Sequence, residues 1–312
     1  LWTEQEIVEP GALAALTGEI AQAVAARLAR ELLLREVART AAEPPGRADA
    51  HILVLRAARL TYSLEVPALQ EAAELLGRAL ALDPDHVGGH AWRAFALMAR
   101  AGYPWREGHA ELIAQTERHT AHALRLDPTD AMALATRAQC RALARDHDQA
   151  LGLAERAIAA NPALPMAWGR RALVACYQGE PETALACLAR YRRLSPFDPF
   201  QSLFGRAEVF AHLLAGRYEQ AVGAARPLIA RKPLLFGCYL PMLAALGHLG
   251  RSEEAAACRA DIYRIEPRFS LAAFRAAYPL RHARDLEHYA EGLRRAGLRE
   301  HAPDPAAASP MP

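Results

Sequence analysis

The histidines and cysteines are the residues of this chain best suited to bind a metal or attack a substrate, and their spacing limits what they can do. His119 and His122 stand at i and i+3, and His282, Asp285 and His288 repeat that spacing. On a helix each set shares one face and could hold a metal. Neither supplies a full coordination shell, and histidines on solvated helix faces are common, so no metal site is expected. Asp83-Pro84-Asp85-His86 is explained by turn punctuation and helix capping. No GxGxxG, Walker loop, GxSxG or HExxH occurs. With no nucleophile, base and stabiliser set beside one another, the chain reads as non-enzymatic, with no catalytic residue and no cofactor. The five cysteines, Cys140, Cys176, Cys187, Cys238 and Cys258, are odd in number and lack CxxC spacing. They read as small buried hydrophobes in a reducing compartment, which predicts a cytoplasmic protein.

Charge narrows the function classes further. The 37 basic and 35 acidic residues give a net charge of +2 and are well mixed along the chain. No direct contact of this segment with nucleic acid is expected. No apolar run approaches the ~18 residues of a membrane span, so no membrane partner is expected. Apolar residues make up 52% with only 7% aromatic, and the excess is alanine and leucine, which favours helix over sheet. The fold class read from this is all-α.

The elements that would position any site come from a repeated phrase. Pro128, Pro162, Pro196, Pro233 and Pro267 are 34, 34, 37 and 34 residues apart. Ala150, Ala184, Ala221 and Ala255 each lie 12 residues before such a proline, and Gly179, Gly216 and Gly250 lie 17 before theirs. Glycine there ends a first helix in the left-handed conformation. The alanine lets the second helix cross the first closely. The proline ends the second helix and opens the first turn of the next.

Taken in order, residues 1–45 are the end of an upstream domain plus a long amphipathic helix and linker. Leu13, Leu16, Ile20, Val24, Leu28 and Leu32 form its apolar stripe, and Glu43-Pro44-Pro45-Gly46 breaks it. Residues 46–300 are the repeat array, and 301–312 a disordered tail. The unit from Pro84 to Pro128 is 44 residues long, with the excess near Tyr103-Pro104-Trp105-Arg106-Glu107-Gly108-His109. That insertion is either a loop tucked against its neighbour or a contact loop gripping a ligand with Tyr103 and Trp105. Phe197-Asp198-Pro199 accounts for the 37-residue interval. Residues from Arg268 to Ala296 form a terminal cap.

Two markers locked in phase at this period resemble the tetratricopeptide repeat, over roughly residues 48–296. The resemblance implies a right-handed superhelix of about six helical pairs, with an N-terminal amphipathic helix and a C-terminal capping helix. Leu1-Trp2-Thr3-Glu4, Ala50-His51-Ile52-Leu53-Val54-Leu55-Arg56-Ala57 and the ending Tyr289 to Leu298 are similar to bacterial signalling proteins with a TolB-like domain before such repeats. In those proteins a winged-helix or class III cyclase domain stands upstream. The start at Leu1 rather than methionine fits a piece of such a protein. The resemblance implies a regulatory protein-interaction or sensory domain of a bacterial signalling or transcription-regulating protein. It places on the concave face Met132, Ala135, Gln139 and Leu143, then Met166, Gly169, Arg170, Leu173, Cys176 and Tyr177. Leu203, Arg206, Phe210, Leu213, Leu214, Leu240 and His248 follow. A hydrophobic or amphipathic peptide, from a partner or from the chain's own N-terminal helix, is the ligand this lining suits. The alternative is an enzyme or small-ligand binder using a cleft near residues 103–109.

Overall fold

In the structure, a computed structural model, residues 18, 20–28, 31, 32, 35, 49–102, 105–234 and 236–302 are described. Among them there is no strand. Six helical pairs follow in order: α1 (Ala50–Thr61) with α2 (Val66–Leu82), α3 (Val87–Ala101) with α4 (His109–Leu126), and α5 (Ala131–Leu143) with α6 (His147–Ala160). Next come α7 (Pro165–Gln178) with α8 (Pro181–Leu194), α9 (Gln201–Leu214) with α10 (Tyr218–Arg231), and α11 (Phe236–Leu249) with α12 (Ser252–Ile265). The cap is α13 (Leu271–Ala277) and α14 (Ala283–Arg295). This is the expected solenoid of 34-residue helical pairs.

The local signals act as their chemistry requires. Gly179, Gly216 and Gly250 take φ of 80°, 71° and 69°, the left-handed values that end a first helix. In the α5–α6 pair the same position, 17 residues before Pro162, is Arg145, which takes φ 62° despite its Cβ. Ala150, Ala184 and Ala221 are fully buried where the paired helices cross. The repeat prolines differ from expectation in one respect. They stand in the turn between units, and the next helix begins three residues later, at Ala131 after Pro128 and at Pro165 after Pro162. The residue before the proline holds this turn: Asp127 Oδ1 accepts from Thr129 N at 2.9 Å, and Asn161 Oδ1 from Ala163 N at 3.0 Å. A second bond recurs six residues after the proline. His90 Nε2, Trp168 Nε1 and Tyr239 Oη each donate to the carbonyl of Pro84, Pro162 or Pro233 at 2.9 Å.

The array closes on itself, bringing its first two units against its last two. Tyr62, at the α1–α2 turn, meets Phe200 before α9, with ring centroids 5.3 Å apart, and Phe95 of α3 meets the same ring at 4.9 Å. Lys232 Nζ donates to the carbonyl of Ser63 at 2.8 Å. Farther along, Trp105 packs on Phe269 at 4.7 Å and Phe236 at 5.7 Å, and Arg106 pairs with Glu266. One continuous apolar core takes in residues from Phe95 to Leu298, drawn from both helices of the later pairs and from the cap. Of the N-terminal helix, Gln22 accepts a hydrogen bond from Arg190 of α8, while Ile20, Leu28 and Leu32 of its stripe are exposed. Residues 1–17, 36–48 and 303–312, on which the expected upstream-domain end, the expected linker Glu43–Gly46 and most of the expected tail fall, lie outside the described residues, as does Tyr103.

Candidate functional site

The inner face of the solenoid is occupied by its own C-terminal segment. After α13 the chain turns inward at Tyr278, whose ring lies 6.1 Å from Tyr177 of α7 and 5.6 Å from Phe210 of α9. Arg281 N donates to the carbonyl of Tyr177 at 2.9 Å, and its guanidinium pairs with Asp148 of α6 at 2.6 Å. Arg145 Nη2 donates to the carbonyl of Ala276 at 2.8 Å, tying the segment to the end of α5. From there α14 crosses α9 and α11, with Tyr289 5.5 Å from Phe210 and His248 Nε2 donating to the carbonyl of His288 at 3.0 Å.

The inner-face residues expected from the sequence therefore lie in the interior. Gln139, Met166, Arg170, Leu173, Tyr177, Phe210 and Leu213 are buried, while Met132, Arg206 and His248 are half-buried. Leu173, Tyr177, Arg206 and Phe210 are brought together around one cavity, completed by Gly237 and Leu240 of α11 and by Tyr278. The enclosed space is about 10 Å³, room for roughly one water. Met132 and Gln139 belong to α5, and His248 stacks between Tyr218 and His288 at 4.6 and 4.5 Å. Sequence reasoning did not single out the covering residues Tyr278, Arg281 and Tyr289 as inner-face residues. The aromatic density of Phe274, Tyr278 and Tyr289 after the last repeat was the available signal. Of the inserted loop, Trp105 and Arg106 pack on Phe236, Phe269 and Glu266, in and just after the sixth pair, rather than on the neighbouring unit.

His119 and His122 stack with His90, and of the second set His288 stacks on His248. His90 Nε2 must donate to the Pro84 carbonyl, so its Nδ1 accepts, and the 2.8 Å contact with His119 Nδ1 fixes His119 as the Nδ1–H tautomer. His122 stacks on His90 at 4.1 Å and meets Asp85 at 3.2 Å. Burial pushes the His119 imidazole down to about 4, assisted by Arg93 and His90. Among the described residues no three His, Cys, Asp or Glu side chains converge as a metal site. All five cysteines are buried, and burial raises their thiols, Cys238 and Cys258 to about 12. They are small core residues with little thiolate character. No described helix is long and apolar enough to cross a membrane.

No family model and no curated protein matches the sequence. Solved structures do. A chain of the APC/C hetero-tetramer Cut9-Hcn1 is 13% identical, with a TM-score of 0.57 over 85% of this chain and 46% of that one. The human IFIT1 dimer with m7Gppp-AAAA is 13% identical, with a TM-score of 0.56 over 69% of this chain and 50% of that one. The TPR protein TTC0263 of Thermus thermophilus is 18% identical, with a TM-score of 0.48 over 62% of this chain and 97% of that one. This chain spans about half the length of the first two. Its helical pairs, glycine turns and 34-residue period give it the tetratricopeptide-repeat fold.

Proposed function

We propose that the chain is a non-enzymatic protein-interaction domain whose inner face receives a hydrophobic or amphipathic peptide segment. One observation carries this reading: the inner face already holds a polypeptide. Tyr278 inserts beside Tyr177 and Phe210, and the backbone of Arg281 bonds that of Tyr177 at 2.9 Å. A partner segment offering an aromatic side chain and a free backbone N–H would meet the same groups. Met132, Gln139, Met166, Leu173, Leu213 and His248 extend the surface along α5 to α11. The packing of Trp105 and Arg106 against Phe269 and Glu266 favours this over a cleft at residues 103–109.

The test uses a synthetic peptide of residues 276–282 and the full chain carrying Tyr278→Ser. Binding to that variant with Kd on the order of 10–100 µM is expected, with none to the parent, whose site is filled. Equal binding of a peptide with serine at its tyrosine position, or no binding at all, overturns the reading.

The wider context we infer is the cytoplasmic, regulatory C-terminal part of a bacterial signalling or transcription-regulating protein. The resemblance of residues 1–4, 50–57 and 289–298 supports it. The coding sequence upstream of Leu1 should then encode a TolB-like domain and, before it, a winged-helix or cyclase domain; unrelated upstream domains would remove this context.

A further inference from the structure

The α5–α6 turn departs from the rules of the array at two positions. The residue 17 before the closing proline is glycine in the next three pairs, at Gly179, Gly216 and Gly250, and is Arg145 here. The residue 14 before the proline is acidic in all four pairs: Asp148, Glu182, Glu219 and Glu253. In two of them that acid reaches an arginine just before the second helix of the following pair. Glu182 meets Arg217 at 2.7 Å, and Glu219 meets Arg251 at 2.8 Å. For Asp148 the residue at the corresponding place is another acid, Glu180, which pairs with Arg171 of its own unit at 3.5 Å. Two acids repel, so the ladder of ion pairs cannot be continued from Asp148 in this way.

Both departures are turned toward the covering segment. Arg145 Nη2 donates to the carbonyl of Ala276 at 2.8 Å and to that of Tyr278 at 3.4 Å, which holds the segment by its backbone. Asp148 Oδ1 accepts from Arg281 Nη1 at 2.6 Å. Between these ties Leu280 N donates to the carbonyl of Tyr278 at 3.0 Å, a three-residue turn about Pro279, whose ring fixes φ near the value such a turn needs. Leu280 is buried in the same apolar core as Tyr278. Four consecutive residues are thus each met by something distinct: an aromatic ring by Tyr177 and Phe210, a proline turn by the Arg145 fork, an aliphatic side chain by the core, and a cation by Asp148. Resting on the peptide reading above, we propose that Arg145 and Asp148 make the inner face selective for a partner segment of the order aromatic, proline, aliphatic, basic, of which residues 278–281 are the chain's own copy. Asp148 and Arg281 are 82% and 38% exposed at their side chains, so this pair discriminates by about two- to fivefold and does not dominate affinity.

The test uses fluorescence anisotropy of labelled peptides of residues 276–282 on the full chain carrying Tyr278→Ser and Arg281→Ala, which weaken its own copy of the motif. The unaltered peptide should bind, and the peptide with Arg281→Glu should bind about fivefold more weakly or worse, because reversal adds repulsion to the lost pair. Asp148→Arg added to the chain should invert that preference. Arg145→Gly keeps the left-handed backbone and removes the fork, so it should weaken both peptides alike, by about tenfold. If the unaltered peptide binds and the glutamate peptide binds equally well, the selectivity is overturned while the peptide reading stands. Unchanged affinity after Arg145→Gly overturns the backbone clamp. If no peptide binds, the peptide reading falls and this inference with it. Should the doubly substituted chain not fold, Arg281→Ala alone serves for the same comparison of peptides, with the same outcomes deciding.

Discussion

Gly247 of α11 and Gly292 of α14 bring two helix backbones into direct contact. A β-carbon built on Gly247 would overlap the Gly292 carbonyl oxygen, and one on Gly292 would stand 2.6 Å from the carbonyl oxygen of Ala244. Helix propensity alone says that Gly→Ala stabilises a helix by about 1 kcal/mol. Here the overlap is with backbone, which cannot rotate away, so Gly247→Ala and Gly292→Ala should each destabilise by about 1–3 kcal/mol or more. Gly152→Ala, on α6 with nothing within 4 Å, should show the opposite sign. Thermal melting of the three variants checks the prediction, and a stabilised Gly247→Ala would show that the crossing is looser than described.

Ala184 tests the crossing inside a pair. It is fully buried on α8, whereas Ala186 two residues later is exposed. Ala184→Leu forces three extra carbons into a close-packed crossing and should lower stability by about 1–3 kcal/mol. Ala186→Leu should stay within about 0.5 kcal/mol of the parent. Equal melting temperatures would show that the alanine register does not mark the crossing.

Such local rules were legible because each needs only one unit to be expressed. A glycine 17 residues before a proline and an alanine 12 before it report a turn and a crossing that recur, so five prolines outline the array. Closure was not legible. Tyr62 and Phe200 are 138 residues apart and belong to different positions of the unit, so no period links them. The residues expected on the inner face lie on the first helices of their units, since the repeat period fixes that much. Whether they face solvent depends on where the cap docks, and that is decided by Tyr278, Arg281 and the glycine crossing. Arg145 escaped notice because nothing in its residue type announces a left-handed backbone. Its bond to the Ala276 carbonyl offers one physical reason for an arginine there.

Acid should weaken the protein through the histidine ladder. The folded His119 value of about 4 lies below the ordinary 6.5, because burial opposes the charged form, and His90 is lowered for the same reason. The unfolded chain therefore binds more protons between these limits, and stability rises with pH there. It is fully present above about pH 7 and falls as pH drops from 6.5 toward 4. His119 alone accounts for a loss on the order of 1–3 kcal/mol, reduced by its partial solvent exposure. His119→Asn keeps a donor near the His90 Nδ1 but removes the titration. Denaturant melts at about pH 7.5 and about pH 5 should show a smaller difference in the variant, and an unchanged difference would move the effect to other histidines.

Tyr177 and Phe210 support the covering segment as core residues. Both are nearly fully buried, and each touches the Tyr278 ring. Tyr177→Ser with Phe210→Ser should remove these ring contacts and leave a cavity, with a loss of at least about 3 kcal/mol. A double variant that melts like the parent would mean that the inner face is open in solution.

The final prediction concerns closure. Trp105 packs on Phe236 and Phe269, and Arg106 pairs with Glu266, so the inserted loop ties the second unit to the sixth. At the other contact Tyr62 and Phe95 meet Phe200. These ties join units distant in sequence, while each unit keeps its own neighbour contacts, and repeat arrays hold together chiefly through those neighbours. Weakening both ties should then open the ring before it unfolds the units. In the Trp105→Ala, Tyr62→Ala double variant, small-angle scattering should give a larger radius of gyration with helical circular dichroism retained. The extra expansion should be absent in Ala186→Leu, which touches neither tie. Loss of helicity in step with expansion would show that closure and the folding of the units are one cooperative event.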